Sequence, residues 1–229
     1  MNNFDIKKIH STGYWAFVFH PILLPKEKLT LSTLEEKVIN NGIHLRGWTF
    51  PYYDLKDLHR ENDGISLNVE FMELYEYWKY YESGQFVTQF AMIEDRLNDA
   101  RSSKVLFILS TLYRITECIM FAANISTYKI YSNGIYLEIE LHGCENRQLK
   151  YSIPCSWNII QYRLNKYRCK ISDPLKWSIS LDSLELQKNS AKYSLDAALH
   201  FFERFGPFED KHKLLETEQA KFIRGELKI

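Results

Sequence analysis

The chain has 229 residues, with 29 Lys+Arg balanced by 29 Asp+Glu, 45% hydrophobic and 15% aromatic residues. Zero formal net charge gives no global electrostatic case for nucleic acid or an anionic membrane. No run reaches the ~18–20 apolar residues that cross a bilayer, and the composition excludes a disordered or disulfide-stapled chain.

In chain order, the aromatic and β-branched run 14–19 (Tyr-Trp-Ala-Phe-Val-Phe) predicts a buried strand ended by His20-Pro21. Ser32 and Glu35 read as a capping box for a short helix over 33–40, closed by Asn41-Gly42. Residues 43–51 predict a strand that Pro51 must end, with Gly47 marking a bulge. Residues 54–64 are polar and loop-like, and 65–69 alternate as a short strand.

The densest aromatic stretch follows. Phe71, Leu74, Tyr75, Trp78 and Tyr81 fall on one helical stripe, so a helix over 71–82 with Gly84 at its end is expected, then a strand over 85–93. A hairpin is the rival reading, because Tyr, Trp and Phe favour strands and Ser83-Gly84 is a turn signal. As a helix it would face Trp78 and Tyr81 inward. Glu73, Glu76, Lys79 and Glu82 would form an outward acidic side where a protein partner could dock.

Residues 103–125 predict the central helix, apolar on most sides. Arg114 and Glu117 sit three apart on it, either as an ordinary surface pair or lining a functional pocket. Asn133-Gly134 predicts a hairpin joining 128–131 to 135–141. A strand over 148–153, a helix over 157–167 and a strand over 177–186 come next. Ser194 reads as the cap of a helix over 195–205, stopped by Gly206-Pro207, and a peripheral helix closes the chain within 208–229. These elements predict one α+β domain spanning 1–229: a mostly antiparallel sheet packed with the central apolar helix of 103–125 and C-terminal helices.

Cys118, Cys144, Cys155 and Cys169 form no CxxC, and the N-terminus shows no apolar signal region. Reduced thiols in a cytoplasmic protein are the expectation. Glu138, Glu140 and His142 alternate with apolar residues, so all three project from one strand face. Two carboxylates and an imidazole suit a divalent metal or acid–base work, which makes a metal-dependent hydrolase one reading. The solvated face of an antiparallel strand is the other. No nucleophile elbow, phosphate-cradling loop or paired-histidine motif occurs, so no cofactor is expected and an enzyme is disfavoured.

Charge is polarised along the chain. Residues 54–99 hold eleven acidic against four basic residues, and 145–177 hold seven basic against two acidic. Arg147, Lys150, Arg163, Lys166, Arg168 and Lys170 are interleaved with Tyr162 and Tyr167. Cations that track phosphates and rings that stack bases are what single-stranded nucleic acid needs, so this segment is the candidate nucleic-acid surface.

Four short motifs carry a resemblance: Arg46-Gly47-Trp48-Thr49-Phe50-Pro51, Tyr80-Tyr81-Glu82-Ser83-Gly84-Gln85-Phe86-Val87, Glu138-Ile139-Glu140-Leu141-His142-Gly143 and Phe202-Glu203-Arg204-Phe205-Gly206. Together they resemble an uncharacterised bacterial module associated with AlbA-like and Schlafen-like DNA-binding proteins. The resemblance implies no catalytic residues. No separate AlbA-like domain is present, so DNA binding is not inherited from it. The leading reading is a non-catalytic binding or adaptor subunit with a protein partner or a second copy of itself; its place in a bacterial multi-component system, linked to nucleic acid or antiphage defence, is what the resemblance implies. Direct single-strand binding through 147–177 and metal-dependent hydrolysis at Glu138, Glu140 and His142 are the alternatives, and no membrane is expected.

Overall fold

The computed structural model of the chain describes residues 6–71, 74–96, 104–151, 168–206 and 212–226. Its elements in order are α1 (Lys7–His10), β1 (Tyr14–Pro21), α2 (Leu31–Asn41), β2 (Ile43–His44), β3 (Thr49–Phe50), β4 (His59–Glu61), β5 (Gly64–Phe71), β6 (Leu74–Tyr81) and β7 (Phe86–Ala91). Then come β8 (Val105–Phe107), α3 (Ile108–Ile125), β9 (Ile135–His142), β10 (Gln148–Lys150), β11 (Leu175–Leu181), α4 (Ser183–Glu203) and α5 (His212–Ile223). This is an α+β fold.

Seven strands form one fully antiparallel sheet in the order β11-β9-β1-β7-β6-β5-β4. Strands β4 to β7 are a meander, whereas β1 lies in the middle between β7 and β9. Two small ribbons stand apart: β2 with β3, antiparallel, and β8 with β10, parallel. Period-2 alternation decides which side of each strand is covered. On β9, Ile135, Leu137, Ile139 and Leu141 are buried, while Tyr136, Glu138, Glu140 and His142 stay partly exposed on the other face. The buried face meets α3, where Phe121 packs on Phe19 and Phe86, and α3 packs against α4 and α5. Phe86 is the hinge of this core, with ring centroids 5.2 Å from Phe19 and 5.1 Å from Phe121. Among the described residues no helix is long and apolar enough to cross a membrane.

Where a helix was expected over 71–82, the described residues Leu74–Tyr81 form strand β6 of the meander, and Phe71 ends β5. Alternation wins over the helical stripe: Glu76, Trp78 and Tyr80 go inward and Tyr75, Tyr77 and Tyr81 outward. Ser83-Gly84 turns the chain by a three-residue loop in which Gly84 (φ +84°) takes the left-handed position. Gly84 N–H donates to Tyr81 O at 2.9 Å, and Tyr81 N–H to Gln85 O at 2.8 Å. A Cβ on Gly84 would also stand 2.8 Å from Ile130 Cδ1, so both backbone and space demand glycine.

Other expectations shift for local reasons. The 43–51 strand is a tight ribbon turned at Gly47 (φ +79°). Asn133-Gly134 does not make a hairpin: a 3-10 turn over Lys129–Tyr131 leads through Gly134 into β9, which pairs instead with β1 and β11. The central helix starts at Ile108, because 105–107 are taken by β8. Thr30, not Ser32, caps α2, accepting from Thr33 N–H at 3.2 Å. Ser194 lies inside α4, its hydroxyl donating back to Ser190 O at 2.9 Å; the helix begins at an Asp182 cap and kinks at Asn189. Leu215 and Phe222 are the buried side of α5, as their spacing predicts. The helix expected over 157–167 lies outside the described residues.

Candidate functional site

The inner sheet face is apolar except where β6 and β7 approach the first half of α3. Glu76 faces inward from β6, opposite Phe90 of β7. From α3, Arg114 and Glu117 project toward the same place, and Arg46 reaches in from the β2–β3 turn. Arg46 Nε donates to Glu117 Oε1 at 2.9 Å and its Nη2 to Oε2, a two-point pair with side chains 9% and 0% exposed. Arg114 Nη1 donates to Glu76 Oε2 at 3.2 Å. Arginine and glutamate three apart on α3 are thus not a surface pair; each takes a partner from a different element.

Cations and carboxylates buried together are costly unless fully paired, and here the pairing is unequal. Arg114 makes that one hydrogen bond among the described residues. It also lies 4.6 Å above the Phe90 ring centroid, while Arg46 lies 5.1 Å from that of Trp48. Glu76 Oε1 has no hydrogen-bond partner among the described residues. Burial pushes the Glu76 carboxyl above its usual range, against the pull of Arg114. Burial pulls the Arg114 guanidinium down, but the Glu76 and Glu117 carboxylates hold it above its ordinary value. Cys118, beside this network, is pushed well up by burial and is not a ready nucleophile.

A cavity of about 70 Å³ opens against these groups. Arg46 and Arg114 supply its charge, Trp15, Trp48, Phe90 and Tyr113 its aromatic walls, and Ser110, Thr111 and Glu94 its remaining polar groups. Thr111 Oγ1 and Tyr113 OH are buried without a hydrogen-bond partner among the described residues. Glu94 accepts from Phe107 N–H at 2.9 Å, and its burial, outweighing that bond, pushes its carboxyl up. Such groups can hold and orient a small polar molecule. Two buried hydroxyls without partners in a native interior ask for a water or a ligand.

The residues singled out from the sequence lie elsewhere. Glu138, Glu140 and His142 do share one face of β9, opposite the buried Ile135, Leu137, Ile139 and Leu141. Lys176 of β11 pairs with Glu138 at 2.7 Å and reaches Glu140 at 3.5 Å, and His142 Nε2 lies 3.0 Å from Glu140 Oε2. Burial raises the Glu138 carboxyl, but the bonds from Lys176 and Tyr136 bring it below its usual range. Among the described residues no group of three His, Cys, Asp or Glu side chains is placed to hold a metal ion. His142 is instead stacked on Tyr14, with centroids 4.2 Å apart, and Tyr14 on His10 at 4.4 Å.

Of the basic candidates, Arg147 is buried in a structural clamp on Asp95. Lys150 is half-buried on β10, while Arg168 and Lys170 are exposed. Tyr162, Arg163, Lys166 and Tyr167 lie outside the described residues, as does Glu73. The outward acidic side expected of 71–82 does not form, because a strand sends Glu76 inward. Lys79, on the outer face, is covered and paired with Glu61 at 2.6 Å and Asp63 at 2.7 Å. Glu82, at the turn, lies 3.4 Å from Lys28. Sequence reasoning missed Arg46, Glu94 and Thr111. Arg46 beside Trp48 was the one usable signal, a cation next to a large ring on a glycine turn.

No protein-family model, no curated protein and no solved structure matches the chain.

Proposed function

We propose that this protein is a non-catalytic binding module that takes a small molecule into the cavity between α3 and the β6–β7 hairpin. The observation that carries this reading is the under-paired Arg114 on the wall of a cavity also lined by Thr111, whose buried hydroxyl has no hydrogen-bond partner among the described residues. Buried groups of this kind persist at a stability cost when they serve binding. A ligand that meets them would be stabilised in turn, and would stabilise the fold by mass action. The test is a thermal-shift screen of small acids, bases and neutral compounds on the wild type and on Ser110→Leu, which fills the cavity from α3. Compounds that raise the wild-type Tm and leave Ser110→Leu unmoved are expected. A screen with no shifts, or equal shifts in both proteins, defeats the reading.

A second role, as the adaptor subunit of a multi-component system, is favoured by the outer face of the sheet. Tyr14, Tyr75, Tyr77 and Tyr136 stand there partly exposed, among Glu138, Glu140 and Lys176. Tyrosines with mixed charge are the make-up of protein interfaces, and tyrosine anchors carry much of their energy. Native affinity purification of the wild type beside Tyr77→Glu and Tyr136→Glu is the test. A partner retained by the wild type and lost from both variants is expected; the same partner recovered with all three removes the outer face from consideration.

A further inference from the structure

We infer that the α3 cavity is a site for a short-chain monocarboxylate, held by Arg114 with the Ser110 and Thr111 hydroxyls beside it. The inference rests on the binding reading above and names its ligand class.

Charge is the first argument. Arg46 is matched at two points by Glu117, so that pair is closed. Arg114 shares Glu76 through a single 3.2 Å bond, so its planar fork keeps donors to give. A carboxylate is the ligand group that takes two N–H donors of a guanidinium in parallel. An anion placed against this half-buried, under-paired cation also offsets part of the cost of covering it.

The helix is the second. α3 begins at Ile108, and its N-cap Phe107 contributes no side-chain cap. Ser110 and Thr111 therefore lie in an uncapped first turn of an 18-residue helix, where the backbone dipole favours negative charge. Both line the cavity. Thr111 is 3% exposed, and its hydroxyl has no hydrogen-bond partner among the described residues. An acceptor placed between Arg114 and Thr111 would satisfy both.

Size and shape are the third. A space of about 70 Å³ admits a few heavy atoms, not a nucleotide or a sugar. Phe90, Trp15 and Trp48 offer a short alkyl chain an apolar wall. Glu94 on the wall, and Glu76 and Glu117 beside Arg114, are the carboxylates that oppose an anion there. Burial drives Glu94 toward the neutral acid, the form that opposes least.

The experiment titrates the purified full chain with propionate, propionamide and propylamine at constant ionic strength, read by tryptophan fluorescence and Tm. Propionate is expected to bind roughly tenfold or more tighter than the isosteric amide, the margin of a charge-assisted over a neutral hydrogen bond. Propylamine is expected to give no response. Arg114→Gln alone strands Glu76 and is open to misfolding, so the paired variant Arg114→Gln/Glu76→Gln is titrated as well. It is expected to fold and to lose the preference for propionate, while Thr111→Val weakens propionate binding. Amide binding as tight as acid, a response to propylamine instead, or undiminished propionate binding by the paired variant would each overturn the inference. In those cases neutral or cationic hits lost in Ser110→Leu leave the cavity as a binding site for another class. No hits of any class defeats the binding reading itself.

Discussion

Glu117→Leu is expected to lower folding stability by about 3–5 kcal/mol, seen as a fall in denaturant midpoint at an unchanged slope. The glutamate is fully buried and accepts both of its hydrogen bonds from Arg46, whose side chain is only 9% exposed. Arginine does not shed its proton in a protein. Without Glu117 a full positive charge remains in the core beside Trp48, close to a second arginine. The double variant Arg46→Met/Glu117→Leu removes both charges and keeps similar volume. It is expected to recover most of the loss, because an apolar pair of the same shape avoids the desolvation penalty. A single variant as stable as the wild type would mean that Arg46 swings to solvent, and that the pair does not hold the β2–β3 turn against α3.

Arg147→Met is expected to cost a similar amount, about 3–5 kcal/mol. Arg147 Nη1 and Nη2 bind the two oxygens of Asp95 at 2.6 and 2.7 Å. Nη1 also donates to Val105 O at 2.8 Å and Nε to Gly143 O at 3.0 Å. Asp95 in turn accepts from Gly13 N–H at 2.7 Å. One guanidinium therefore joins the start of β1, the end of the β7 connection, β8 and the loop after β9. The sequence suggests a different role for the same residue, a phosphate contact in a basic segment. The two roles differ in what they predict. A surface phosphate contact would leave stability within about 0.5 kcal/mol on removal and would flatten the salt dependence of nucleic-acid binding. Chemical denaturation of Arg147→Met separates them directly.

Much of the architecture is legible from residue patterns. The run 14–19, the alternation of 135–141 and the Leu215/Phe222 stripe appear where hydrophobic spacing puts them, and the apolar helix expected over 103–125 is found over Ile108–Ile125. Failures occur where two periods fit the same letters. In 71–82 the large aromatic residues satisfy both a helical stripe and an alternating strand. The choice falls to partners far along the chain, β5 and β7, that can offer a ladder. Asn133-Gly134 fails for the same reason: the turn is real, but the strand after it finds β1 and β11.

The cavity was legible only in part. Arg114 and Glu117 on an apolar helix signal buried charge, yet local spacing pairs them with each other. Their true partners, Glu76 and Arg46, come from the meander and from the β2–β3 turn. Which charge meets which is a property of the tertiary fold. The same holds for Arg147, whose position in a basic run says nothing of Asp95. The Glu138, Glu140 and His142 face was read correctly as a face. Its neutralising Lys176 comes from β11, too far along the chain for spacing to reveal.

The central place of β1 bears on how the molecule assembles as it is made. Its two neighbours are β7 and β9, joined in the registers Phe17 to Thr88 and Phe17 to Ile139. The meander β4–β7 can close on itself as it leaves the ribosome, since each of its turns is short. Strand β1, made before them, must wait for that hairpin stack before it gains one edge, and for β9 before it gains the other. Contacts so distant in sequence slow folding, because loop closure precedes any gain from pairing. A nascent chain that ends before β9 carries an aromatic strand with one side unpaired, which is the exposure that invites association between copies.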